Sequence, residues 1–315
     1  MEETLQTILY VFGLIGVGWL AGRLRLLKSG TGEGLADFAI SIAVPVLLFK
    51  TMVKADFSGA SPLRLWAAYF CAVIVAWAAG HLTIRVVFGR DRRAGVVAGV
   101  SSAFSNLVLL GVPLVLSLEG QQGFEILSLI VAVHLPVMMT ASIVLFQRAD
   151  VGTERRAAAA ILADIIRKLA ENPLIIGIVA GLAFRFTGLP LAGPFGRMAD
   201  SLAAVAGPLA LFAMGMSLND YGLKGHIGPA LALSAIKLAL MPASALCFAL
   251  LFGLPDHVAI VAVTAASLPA GVNSYLIATR FGTGQALAAN TMTLATLLAA
   301  LTTAFWYSVA QAVFS

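Results

Sequence analysis

The chain has 315 residues, of which 60% are hydrophobic and 11% charged, and carries a formal net charge of +5 with a mean hydropathy of +0.96. A water-soluble domain has about 25% charged residues, so this composition excludes an ordinary soluble protein and makes lipid the solvent. Apolar runs of roughly 20 residues, the length that crosses a bilayer, fill nearly the whole sequence, and the basic excess reads as helix orientation in a membrane rather than as a nucleic-acid footprint.

Ten membrane helices are predicted, over roughly 5–23, 35–54, 64–88, 94–118, 124–146, 171–187, 199–219, 227–252, 256–280 and 286–312. The chain opens Met1-Glu2-Glu3, with no basic region ahead of the first apolar run and no small-residue cleavage site after it. The first helix is therefore expected to be a retained span, not a signal peptide. Span two carries Val44-Pro45-Val46-Leu47-Leu48-Phe49, and span seven Gly207-Pro208-Leu209-Ala210-Leu211-Phe212. Pro, Leu and Phe keep one spacing in both, and each proline sits mid-span, where it removes a backbone hydrogen bond and kinks the helix. The longest polar stretch, Gln147 to Glu171, holds Arg148, Arg155, Arg156, Arg167 and Lys168 and turns amphipathic around 157–169. It falls between spans five and six and divides the chain into a first repeat (1–146), a basic linker (147–170) and a second repeat (171–315).

The basic residues test this topology. Arg23, Arg25, Lys28, Arg85, Arg90, Arg92, Arg93, the linker residues, Lys224 and Arg280 all fall in odd-numbered loops, whereas the even-numbered loops hold only Lys54, Arg64, Arg185 and Arg197. The positive-inside rule then places the odd loops in the cytoplasm and both termini outside. With five spans per half, the second half is inserted upside down relative to the first, the inverted repeat that supports alternating access.

Two spans are interrupted at matching places. Ser101-Ser102-Ala103-Phe104-Ser105-Asn106 breaks span four, with Gly111 and Pro113 just downstream, and Ser267-Leu268-Pro269-Ala270-Gly271-Val272-Asn273-Ser274 breaks span nine. A helix broken at the membrane centre leaves backbone N–H and C=O groups that lipid cannot satisfy, so they must face protein or a cavity. The amino-terminal end of each half-helix carries partial positive charge and suits a carboxylate. Asn106 and Asn273 add amide donors at the same depth without adding fixed charge. The expected substrate-binding residues are Ser105, Asn106, Pro269, Gly271, Asn273 and Ser274. Capping of the half-helices is the other role open to the two asparagines. Pro45, Gly111, Pro113, Pro208 and Pro269 are expected to act as breaks or hinges.

Acidic residues are confined to loops and span ends, so no intramembrane carboxylate pair is expected for proton relay or sodium binding. Three basic or titratable side chains are candidates for ion coupling or for tuning an anion site. Lys237 lies deep in span eight, with snorkelling as its alternative. Lys50 lies near the end of span two, and His134 lies mid-span in five beside Pro136. Cys71 and Cys247 have no CxxC partner, and no P-loop, HExxH or GxSxG motif is present. Neither a metal site, a cofactor nor an enzyme is expected; sodium or a proton remains open as a coupling ion.

Taken with these features, five stretches carry a family resemblance: Val44–Phe49, Ser105–Leu114, Glu171-Asn172-Pro173-Leu174, Gly207–Leu218 and Leu268–Tyr275. The chain resembles the auxin efflux carrier family in its bacterial branch, which includes malonate and other organic-acid carriers, with the plant PIN-FORMED exporters as distant relatives. The resemblance covers essentially the whole chain. It implies an all-α fold of ten transmembrane helices in a five-plus-five inverted repeat, like the bile-acid transporters and sodium/proton antiporters, with spans four and nine crossing. It further implies a scaffold domain (spans one, two, six and seven), a moving transport domain (the remaining spans) and a homodimer. In the plant relatives an Asn after a Pro in the fourth helix contacts the substrate carboxylate. Asn106 matches that Asn, but Ser105 stands in place of the Pro, and the long plant loop is absent. The expected function is secondary transport of small organic anions across the bacterial cytoplasmic membrane by an elevator motion. A membrane sensor that binds without translocating and a passive anion channel are the alternatives.

Overall fold

The computed structural model describes residues 2–28, 30–55, 61–149, 163, 166–221, 223, 225 and 227–314. Most of the expected basic linker, including Arg155 and Arg156, lies outside the described residues. Regular structure among the described residues is helical throughout. In chain order the helices are α1 (Glu2–Arg23), α2 (Thr31–Phe38), α3 (Val44–Lys54), α4 (Pro62–Leu82), α5 (Arg92–Ala103) and α6 (Val112–Ala149). After these come α7 (Pro173–Phe186), α8 (Gly193–Tyr221), α9 (Gly228–Ala235), α10 (Met241–Leu251), α11 (Asp256–Ser267), α12 (Val272–Arg280) and α13 (Gln285–Phe314). Seven helices among the described residues are long and apolar enough to cross a membrane, and Pro173–Phe186 and Asp256–Ser267 are shorter apolar helices. The chain is a polytopic, all-helical membrane protein.

Four π-helical turns punctuate these helices: Ala39–Ala43, Thr83–Val87, Leu107–Gly111 and Ile236–Leu240. Three of them end two residues before a proline, namely Pro45, Pro113 and Pro242. The coincidence has a cause. A proline in a helix donates no hydrogen bond and crowds the carbonyl four residues back, and one inserted residue in a wider turn relieves that crowding. Pro45 and Pro113 therefore sit within continuous helical paths, at a change of helical pitch. The carbonyl that Pro242 leaves unbonded belongs to Leu238, and it accepts the indole N–H of Trp306 at 2.8 Å.

One difference from the predicted spans concerns the connection expected between 118 and 124. The connection is reduced to a single non-helical residue, Gly120, at φ 63° and ψ −155°, where two helices meet at a kink, a conformation open to glycine and costly for any other residue. Glu125, just beyond the bend, is buried (7% exposed).

The helices form two compact units, each drawn from both halves of the chain: Met1–Gly59, Leu107–Val133 and Asp164–Asp220 in one, Ala60–Asn106, His134–Ala163 and Tyr221–Ser315 in the other. In the first unit, α1 and α8 approach backbone to backbone. A Cβ added at Gly18 would lie 2.1 Å from the Phe212 carbonyl oxygen, and one at Gly215 2.0 Å from that of Ile15. Asn219 secures the same contact by donating its side-chain amide to the Trp19 carbonyl at 2.9 Å. Helix α7 lies on α3 in the same manner, through Gly177 against Pro45 and Gly181 against Phe49. Without a hydrophobic drive between helices in lipid, such close approach maximises dispersion contact. In the second unit α4 packs on α5, with Gly80 against Ser102 and Gly99 against the Trp77 indole. Helix α11 packs on α10 and α13.

Candidate functional site

The second unit holds both helix breaks. Helix α5 begins at Asp91, whose carboxylate accepts the Ala94 N–H at 2.7 Å, and ends at Ala103; Phe104 is extended at φ −83°, ψ 100°. Helix α11 ends at Ser267 because Pro269 cannot continue it. Leu268, restricted as the residue before a proline, is extended at φ −61°, ψ 149°. The two extended segments pair. Asn106 donates its backbone N–H to the Pro269 carbonyl at 2.9 Å, and Gly271 donates to the Phe104 carbonyl at 2.9 Å, so that Ser105 faces Ala270 in an antiparallel bridge. These bonds flank the bridge. The amides and carbonyls of Ser105 and Ala270 are therefore not spent on it and point outward on either side. An added Cβ at Gly271 would lie 3.4 Å from Asn106 Cα and from the Ser105 carbonyl oxygen, an ordinary van der Waals contact.

The asparagines differ in setting. Asn106 is 7% exposed and immediately precedes the π turn that begins at Leu107. Asn273 is half-buried and lies in the first turn of α12, whose N-cap is Gly271 and carries no side-chain cap. The Ser274 hydroxyl donates back to the Gly271 carbonyl at 2.8 Å. The amino-terminal end of α12 lies beside these paired segments, and a helix amino terminus attracts an anion.

Lys237 reaches the carboxyl end of α11 from the π turn Ile236–Leu240. It is fully buried and donates its Nζ to the Ala266 carbonyl at 2.7 Å, so it does not snorkel. Taking an ammonium out of water costs several kcal/mol even after relaxation. A charge-assisted hydrogen bond contributes about 1.5–3 kcal/mol, and a helix carboxyl end up to about 2 kcal/mol. Lys237 is thus close to neutral for stability at best.

The hydroxyls of Ser105 and Tyr69 are both buried, and neither closes a hydrogen bond among the described residues. His134 is buried beside them, its ring centre 5.6 Å from that of Tyr69 and 4.7 Å from that of Phe104. Both its ring nitrogens lack a hydrogen-bond partner among the described residues. Tyr69 and Phe104 were not among the expected site residues. Phe104 lies in the interrupted run of span four, but no spacing in the sequence signals its contact with His134 or that of Tyr69.

The remaining expected residues belong to the first unit. Lys50 pairs with Asp200 at 2.5 Å in a cleft of about 280 Å³ whose walls include Tyr10, Pro113, Ser117 and Pro208. Gly111 closes the π turn ahead of Pro113. Pro208 lies inside the unbroken helix α8.

A membrane protein with a paired break of this kind, carrying amide and ammonium donors and no metal-binding cluster among the described residues, has the architecture of a transport protein. Residues 4–307 match the model of the family described as "Membrane transport protein", and the chain belongs to that family, the auxin efflux carriers that its motifs resemble. It is 30% identical to the "Putative malonate transporter" of Rhizobium meliloti (strain 1021), over 96% of this chain and 94% of the relative. It is 24% identical to an "Uncharacterized transporter" of Methanothermobacter thermautotrophicus, over 96% of each. A partial likeness, 28% identity over 57% of this chain and 21% of the relative, links it to the "Lysosomal cholesterol signaling protein" of Mus musculus.

Proposed function

We propose that this protein is a secondary carrier of small organic anions, working by elevator-type alternating access. The observation that carries the reading is the pairing of Asn106 with Pro269 and of Gly271 with Phe104, which brings two interrupted helices together where the backbone has polar groups to spare. On this reading the amino-terminal end of α12, Asn106 and Asn273 hold the substrate carboxylate, with Ser105, Gly271 and Ser274 shaping the seat and Lys237 supplying positive potential. The ten predicted spans form a five-plus-five inverted repeat (1–146 and 171–315, joined by the linker 147–170). The protein resides as a homodimer in the bacterial cytoplasmic membrane with both termini outside. His134 and Lys50 are weaker candidates for coupling or anion tuning, since His134 faces aromatic rings and Lys50 is already paired with Asp200. The name of the Rhizobium relative favours short dicarboxylates such as malonate as substrate.

The test is a thermal-shift screen of the purified protein in detergent against mono- and dicarboxylates, followed by flux in proteoliposomes. A ligand at about 100 times its Kd raises folded-state stability by about 2.7 kcal/mol, so the substrate stands out. The expected result is a dose-dependent shift from one acid that Asn106→Ala weakens, and saturable flux of that acid. Untouched transport in both Asn106→Ala and Asn273→Ala would sink the site, and a response to neutral or cationic solutes alone would sink the anion reading.

One observation favours a second reading. The partial match to a protein named for cholesterol signalling fits a fold used to sense a ligand without moving it. Binding without flux or counterflow in the same assay would select that reading.

A further inference from the structure

We propose that the Lys237 ammonium is a tethered monovalent cation occupying the ion position at the carboxyl end of α11, and that transport by this protein therefore needs no sodium. The inference rests on the anion-carrier reading and concerns how the same site is energised.

In carriers built on broken helices, the carboxyl ends of half-helices and the unwound carbonyls beside them are where a coupling cation is coordinated. The last carbonyls of any helix lack intrahelical partners and need some donor or cation. In α11 three of the last four carbonyls are taken by the protein itself. Ala266 O accepts Lys237 Nζ at 2.7 Å, Ser267 O accepts Thr303 Oγ1 at 3.2 Å, and Thr264 O accepts Ser267 Oγ at 2.8 Å. One of these three donors is an ammonium, the nearest side-chain equivalent of an alkali ion in charge and in its preference for oxygen.

Lys237 is held for this task. It is fully buried, emerges from the π turn Ile236–Leu240, and makes no ion pair among the described residues. A mobile cation site would gain from a carboxylate ligand. Here the fixed charge meets only carbonyl oxygen, and it would repel a second cation. The tether also has a mechanistic consequence: Lys237, Ala266 and both breaks belong to one unit. The charge therefore accompanies the site through each half-cycle and returns with it, and no ion crosses with the substrate.

The experiment uses proteoliposomes and the acid that gives the largest thermal shift in a panel of mono- and dicarboxylates, malonate included. Wild-type flux is measured first; if no acid moves, the carrier reading fails before this inference is reached. With flux in hand, the wild type is expected to run at the same rate when sodium is replaced by choline. Lys237→Met, nearly isosteric and neutral, is expected to lose flux by about tenfold or more, the equivalent of one buried charge-assisted hydrogen bond, while remaining folded by unfolding midpoint and size exclusion. Lys237→Ala is expected to be inactive in choline and to regain flux with sodium or methylammonium. Sodium dependence of the wild type, full flux in Lys237→Met, or a folded Lys237→Ala that no cation rescues would each overturn the proposal. If Lys237→Ala does not fold, the wild-type sodium test and Lys237→Met decide the matter.

Discussion

The backbone N–H of Asn106 and the carbonyl of Pro269 meet at 2.9 Å, and Pro269 is the residue that stops α11. A proline in one half of the chain thus supplies the acceptor that holds the other half's break open. The first break, which has no proline of its own, borrows its geometry from the second.

Pro269→Ala follows from this relation. The new residue regains an N–H and lets α11 extend, which withdraws the carbonyl from Asn106. Losing one buried backbone hydrogen bond and leaving its donor unpaired costs about 1–3 kcal/mol, so ligand affinity in the thermal-shift assay should fall by about tenfold or more. Unchanged affinity would mean that the first break stands without its partner.

Trp306 and Pro242 form a second testable pair. The Trp306 indole donates to the Leu238 carbonyl at 2.8 Å, the acceptor left over by Pro242. Trp306→Phe should therefore destabilise by about 1–3 kcal/mol. In a Pro242→Ala background the restored N–H offers Leu238 a helical partner, and the penalty of Trp306→Phe should shrink. A double-mutant cycle on unfolding midpoints measures the coupling, and strict additivity would refute the account.

Gly18 and Gly215 set the distance between α1 and α8. Substituting either by Leu places a Cβ about 2 Å from a carbonyl oxygen of the facing helix, and backbone has no rotamer with which to give way. Each variant should lose about 1–3 kcal/mol or more, read as a lowered Tm in detergent. Gly13→Ala and Gly16→Ala, where an added Cβ meets nothing within 4 Å, should leave Tm unchanged and serve as controls.

Arg93 ties three segments of the second unit. Its guanidinium donates to the Phe281 carbonyl at 2.6 Å and lies 6.0 Å from the centre of the Phe146 ring, which stacks on Phe281 at 3.9 Å. Arg93→Lys keeps the charge but loses the planar fork and the stacking surface. Its Tm should fall nearly as far as that of Arg93→Ala; recovery of the wild-type value with Lys would mean that charge alone matters.

What the sequence determined by itself is mostly a matter of local chemistry. Hydropathy marks the apolar helices, because a span must be apolar wherever it sits. Pro269 marks the second break, because a missing N–H and the restriction on Leu268 act within a few residues. The depth of Lys237 was legible for the same reason. Tertiary structure decided the rest. Phe104-Ser105-Asn106 contains no helix breaker, and its extended form depends on acceptors and donors contributed by Pro269 and Gly271. The partner of Lys237 is a main-chain carbonyl, and every residue carries one, so no pattern of side chains announces Ala266. The bend after span four is carried by Gly120 alone, since one residue with φ open to positive values can do the work of a loop. The π turns ahead of Pro45, Pro113 and Pro242 leave no mark in composition, because they arise from how a packed helix absorbs the absent hydrogen bond. Side-chain polarity acts along the chain and can be read there. Backbone hydrogen bonds between distant segments cannot, because every residue offers the same groups and only the packed fold selects which of them meet.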